Sequence, residues 1–213
     1  MKGVPLNEEL YQYILNTFVE EDELLKSIVK STEELKLPLI QVSPENGLFL
    51  QMLIRMIGAK RVLEIGTLTG YSAVWMARGL PKRGKLITLE VNKDHAKAAK
   101  RNFKKAKLSN KIKLILGDAL KSLDKLRKQR FDFAFIDAEK VYYPAYLEKV
   151  LNMMNRGGII AADNTLRDGE VISKNPDESV KGVLRFNEMM AKDPRLLSLL
   201  VPISDGLTVG LVK

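Results

Sequence analysis

The chain has no cysteine and a single histidine, His95. Thiolate metal sites, disulfide frameworks and Ser–His or Cys–His nucleophilic pairs therefore lack their parts. Long apolar runs are missing too, and none approaches the roughly 20 residues needed to cross a bilayer. The opening MKGVPLNEEL has no apolar signal core, so the expectation is a cytoplasmic protein with no membrane partner. No low-complexity tract and no interdomain linker interrupts the chain, and at 213 residues and 46% hydrophobic it suits one α/β domain spanning 1–213.

Charge is plentiful and unevenly placed. The formal net charge is +9, yet residues 1 to 35 are acidic on balance, while Lys93 to Arg130 form a dense basic stretch that could attract nucleic acid. Within it, Lys97, Lys100, Arg101, Lys104 and Lys105 fall opposite Ala96, Ala99, Phe103 and Ala106 at helical spacing, the pattern of a solvated helix face. An RNA-modifying enzyme using this stretch is kept as the alternative, beside a non-catalytic interaction module.

Two amphipathic segments, Asn7 to Val19 and Glu21 to Leu35, read as helices, and a third starts after Ser43, which can cap it with Pro44 in the first turn. From Lys60 onward a rhythm sets in. RVLEIG, KLITLE, IKLILGD, FDFAFID and GGIIAADN are short apolar runs ending in an acid or glycine, each leading towards a helical segment. Such alternation predicts a parallel sheet with helices on both faces. RLLSLLVPIS and LTVGLVK, separated by Asp205-Gly206, predict a closing antiparallel hairpin. Asp168 to Glu178 reads as a surface loop.

In open parallel sheets, ligands bind beyond the carboxyl ends of the strands. Glu64, Glu90, Asp118, Asp137 and Asp163 fall at five such ends, where each could equally be a solvated carboxylate or a helix cap. The loop Gly66-Thr67-Leu68-Thr69-Gly70 has G-x-x-x-G spacing and lacks a third glycine, which disfavours a dinucleotide site. Glu90 ends the next strand, where a carboxylate can accept both hydroxyls of a ribose. Asp137, Asp163 and Asn164 form an all-oxygen set suited to a hard cation such as Mg²⁺, although Asp163 and Asn164 could instead cap the following segment. Trp75 and Met76 read as core. Tyr142, Tyr143 and Tyr146 could pack a helix or line a pocket, and His95 reads as a surface residue among lysines.

The segments QVSPENGLFLQML, VLEIGTLTGYSAVWMA, ITLEVN, GDAL, FDFAFIDAEKVYYPAYLE, GGIIAADN and DPRLLSLLVPISDGLTVGLVK together resemble the cation-dependent O-methyltransferases of the catechol and caffeoyl-coenzyme A type, over nearly the whole chain. The resemblance implies a Rossmann-like class I methyltransferase fold with a mostly parallel seven-stranded sheet and an antiparallel C-terminal hairpin strand. It implies S-adenosylmethionine (SAM) as cofactor, with Val42, Glu64, Gly66, Tyr71, Ser72, Glu90, Asp118, Ala119 and Asp137 around it. It further implies a divalent cation (Mg²⁺, or Ca²⁺ or Mn²⁺) on Asp137, Asp163 and Asn164. Lys140 beside Asp137 would be the catalytic base, and a small hydroxylated aromatic molecule with vicinal hydroxyls the acceptor. Residues 1–58 would cover the site or build a homodimer contact. Two departures stand out: Glu139 where the family commonly has aspartate, and Arg167 where it often has tryptophan. The latter puts a cation where an aromatic wall is usual, which would suit an acidic or differently shaped acceptor.

Overall fold

The computed structural model describes residues 6–213; the first five positions, part of the opening stretch read above for a signal core, lie outside the described residues. Three helices precede the sheet: α1 (Glu8–Phe18), α2 (Glu23–Glu34) and α3 (Pro44–Met56). Asn7 and Asp22 cap the first two by accepting from the backbone amides of Leu10 and Leu25. Ser43 does occupy the N-cap of α3 with Pro44 behind it, but its hydroxyl donates to Glu45 Oε1 at 2.6 Å and caps no amide.

The alternation then follows: β1 (Arg61–Ile65), α4 (Tyr71–Gly79), β2 (Lys85–Glu90), α5 (Lys93–Lys105), β3 (Ile112–Leu116), α6 (Ala119–Leu126), β4 (Phe131–Ile136), α7 (Tyr143–Leu151) and β5 (Met154–Ala162). Helix α8 (Glu178–Lys192) and the strands β6 (Leu196–Val201) and β7 (Leu207–Val212) complete the chain. The seven strands lie in the order β3-β2-β1-β4-β5-β7-β6. β1 to β5 are parallel, and β7 runs against both β5 and β6, so the expected architecture holds. Residues 202–206 join β6 to β7, a longer connection than a two-residue hairpin at Asp205-Gly206, with Ser204 and Gly206 both at positive φ.

Side chains alternate across each buried strand. Val62, Phe133 and Phe135 face α2 to α5, whereas Leu63, Ile65, Ala134 and Ile136 face α6, α7 and α8. Both faces of β1 and β4 are thus dry, which explains why their sequences are almost continuously apolar. The strand order reverses between β1 and β4, and that switch point opens the crevice in which the acids of the strand ends gather. The lysines of α5 lie exposed opposite a buried Ala96, Ala99 and Phe103, as the helical spacing implied.

Candidate active site

A cavity of about 820 Å³ opens over the carboxyl ends of the parallel strands. One wall is the loop after β1. Gly66 has φ +95°, and a Cβ there would come to 1.8 Å from the carbonyl oxygen of Asp137, so only glycine lets the β1 and β4 exits approach. Glu90, at the end of β2, accepts from the amides of Thr67 (3.2 Å) and Leu68 (2.9 Å) through Oε2 and from Asn92 (2.8 Å) through Oε1. A carboxylate has roughly four acceptor positions, so Glu90 retains about one for a ligand, fewer than a ribose with two hydroxyls would use.

Val42, Tyr71, Ser72, Asp118, Ala119 and Asp137 line the same cavity, together with Ile40 and Gln41. The segment before α3 therefore forms part of the wall. The Tyr71 hydroxyl donates away from the cavity to Glu21 Oε1 at 2.7 Å, and burial holds that phenol well above its usual range. Asp118 also caps α6 by accepting from Lys121 N at 2.8 Å. Glu64 stands apart: it is fully buried and absent from the cavity wall. Ser72 Oγ donates to its Oε1 at 2.6 Å, while Oε2 has no partner among the described residues. Burial pushes its carboxyl up to about 8, opposed by the hydrogen bond from Ser72 and aided by the charges of Asp137 and Glu90.

The exits of β4 and β5 meet around a cation. Lys140 Nζ lies 2.8 Å from Asp137 Oδ1, 2.8 Å from Asn164 Oδ1 and 2.7 Å from the Tyr143 hydroxyl. Asp163 is buried next to them, and its Oδ1 accepts from Asn46 Nδ2 of α3 at 2.9 Å. Burial, then the charge of Asp137, lifts the Asp163 carboxyl to about 7, and its hydrogen bonds and Lys140 offset this only in part. The capping alternative for Asp163 and Asn164 is not realised, because the short 3-10 turn Arg167–Ile172 has Leu166 at its N-cap and no side-chain cap bond. Among the described residues no group of three or more His, Cys, Asp or Glu could hold a metal, so an ion here depends on two carboxylates and an amide. That donor set fits a hard divalent cation: the oxygens are of the right kind, two already converge on one positive nitrogen, and Asp163 lacks full compensation.

His95 departs from its reading as a surface residue among lysines. It lines the cavity with Nδ1 3.7 Å from Glu90 Oε1, because α5 starts directly at the β2 exit. Trp75 and Met76 are core, as is Tyr143. Tyr142 is half exposed on the cavity wall, and Tyr146 is buried but reaches it. Asn46 is a site residue that the sequence reading misses, and its only signal there is a buried asparagine just before the apolar run of α3.

The family model described as O-methyltransferase matches residues 15–213. The chain belongs to this family of methyl-transfer enzymes. It is 40% identical to the catechol O-methyltransferase of Niastella koreensis, over 97% of both chains. It is also 34% identical to the caffeoyl-CoA O-methyltransferase of Medicago sativa, over 98% of this chain and 90% of that one. The O-methyltransferase from Bacillus cereus, solved in complex with SAH, superposes with a TM-score of 0.90 at 37% identity, covering 95% of this chain and 96% of that chain. The Rossmann-like sheet of this O-methyltransferase, with its antiparallel C-terminal strand, is thus shared along nearly its full length.

Proposed function

We propose that this O-methyltransferase moves the methyl group of SAM to one of two vicinal hydroxyls on a small aromatic acceptor, assisted by a divalent cation held by Asp137, Asp163 and Asn164. SAH, bound by the Bacillus cereus relative, is the demethylated form of SAM, and the relatives' names supply the catechol and caffeoyl acceptor types. The observation that carries the reading is the convergence of Asp137, Asn164 and Lys140 in the cavity wall, beside an under-compensated Asp163. When bound, SAM supplies an electrophilic methyl and a divalent cation supplies the positive charge that makes a hydroxyl acidic.

The chain's own residues do the rest. Gly66 lets the backbone approach the donor closely, while Glu90 offers an acceptor to its ribose and Asp118 and Ala119 border its base. Tyr71 and Ser72 lie near the carboxylate of its methionine part, and Val42 adds backbone contact. Lys140 is the group placed to take the acceptor's proton. That role uses the lone pair of its neutral amine. Tyr143, whose hydroxyl is within 3.2 Å of the backbone carbonyls of Ile136 and Asp163, fixes the position from which Lys140 works. Exposed apolar side chains on α1 and α3, among them Leu10, Tyr13, Met52 and Met56, support assembly as a homodimer.

The test is turnover of a catechol panel with labelled SAM in Mg²⁺ and in EDTA, alongside calorimetric Mg²⁺ binding. The expected outcome is activity lost in EDTA and restored by Mg²⁺, with Asp163→Ala abolishing both turnover and Mg²⁺ binding while SAH still binds. Methyl transfer to RNA that ignores chelator would instead favour the basic 93–130 face as the functional surface.

A further inference from the structure

Arg167 is a cation of the cavity wall without a counter-ion. It lines the cavity that holds Lys140 and Asn164, and its Nε is buried with no hydrogen-bond partner among the described residues. Nor does any described carboxylate lie within 4.0 Å of its guanidinium. Nearby Asp205 is already engaged, its Oδ1 accepting from the amide of Asp168 at 2.6 Å. Lys140, the cavity's lysine, is held by three oxygens.

The arginine is also held in place. Arg167 and Asp168 both adopt left-handed backbone, with φ of 50° and 52°, a conformation that persists only when its surroundings impose it. Here they do: Thr165 N and Leu166 N donate to the carbonyls of Gly206 (3.0 Å) and Asp205 (2.9 Å), and Asn187 Nδ2 donates to Thr165 O at 2.9 Å. A guanidinium N–H taken from water without an acceptor costs free energy that an incoming anion returns. The planar fork of arginine matches a carboxylate in two parallel hydrogen bonds.

We propose that Arg167 is a specificity-determining residue that receives a carboxylate on the acceptor, so that the preferred substrates are aromatic acids bearing two adjacent hydroxyls. The hydroxyls lie at the Asp137–Lys140 end of the cavity and the acid at the Arg167 end. The inference rests on the function proposed above and narrows its acceptor class.

The test compares dihydroxybenzoic and dihydroxycinnamic acids having vicinal hydroxyls with their methyl esters, which keep the ring and remove the charge. The readout is the acid-to-ester ratio of kcat/KM in the wild type, Arg167→Gln and Arg167→Lys, together with calorimetric affinity for the acids in the presence of SAH and Mg²⁺. A charge-assisted pair implies a wild-type ratio of roughly ten to a hundred. It should fall towards one in Arg167→Gln and lie between in Arg167→Lys, which keeps the charge and loses the fork. A wild-type ratio near one, or a ratio unchanged by Arg167→Gln, overturns the inference and leaves the methyltransferase reading intact as long as the esters are turned over. If neither acids nor esters are methylated by the wild type, the functional reading fails and this inference fails with it.

Discussion

Replacing Gly66 by alanine separates two costs that the β1 exit imposes. The first is backbone strain: an alanine held in the left-handed region loses roughly 1–2 kcal/mol relative to glycine. The second is contact, because the new Cβ would sit 1.8 Å from the Asp137 carbonyl oxygen, and forcing the two strand exits apart is overpacking worth about 1–3 kcal/mol. Together they come to about 2–5 kcal/mol, which for a chain of this length lowers Tm by about 4–20 °C. Gly58 is the internal control. It has φ +61°, but a Cβ added there would meet nothing within 4 Å, so Gly58→Ala carries the strain alone, about 1–2 kcal/mol. Because the carbonyl displaced in Gly66→Ala belongs to Asp137, that variant should also lose SAH affinity, measured calorimetrically, whereas Gly58→Ala should not. The reasoning is refuted if Gly66→Ala melts no lower than Gly58→Ala and binds SAH as the wild type does.

Other expectations follow from the site's buried groups. Glu64, with its carboxyl raised from the ordinary 4.5 to about 8, keeps in the folded state a proton that the unfolded chain has released. Its stabilising share is complete below about pH 4.5 and is lost as pH rises through about 8, by at most about 1.4 kcal/mol per pH unit. Glu64→Gln should therefore gain on the wild type in Tm between pH 5 and pH 8.5, and a constant difference across that range would rule the linkage out. Asn46→Ala removes the 2.9 Å donor to Asp163 and should weaken Mg²⁺ binding by roughly ten- to a hundredfold. Equal losses in Mg²⁺ and SAH affinity would point to general damage instead. Asp137→Ala should abolish methyl transfer and Mg²⁺ binding in the same titration, and retained Mg²⁺ affinity would remove Asp137 from the proposed ligand set.

The sheet was legible in the sequence because each strand is a short apolar run closed by an acid or glycine, and this rhythm survives even where single residues are ambiguous. Asp137, Asp163 and Asn164 were legible for the same reason, since strand exits lie in a fixed place in such folds. What stayed hidden depends on contacts between distant segments. Nothing near Asn46 announces Asp163, which lies 117 residues further on, and nothing in a lysine-rich helix shows that its first turn brings His95 towards Glu90. Glu64 misled in the other direction: it occupies a strand-end position, but the pleat turns its side chain inward beneath Ser72. The Asp205-Gly206 pair marked the right bend while understating its length.

The loop between Gly66 and Ser72 spends its side-chain hydroxyls inside the protein. The hydroxyls of Thr67, Thr69, Tyr71 and Ser72 are bound by Thr88 and Leu89, Thr32, Glu21 and Glu64 respectively, and the amides of Thr67 and Leu68 serve Glu90. Such a segment meets a guest through its contour and its backbone, with no side-chain hydroxyl to spare. Added bulk on a donor analogue along this stretch should be refused whatever its polarity.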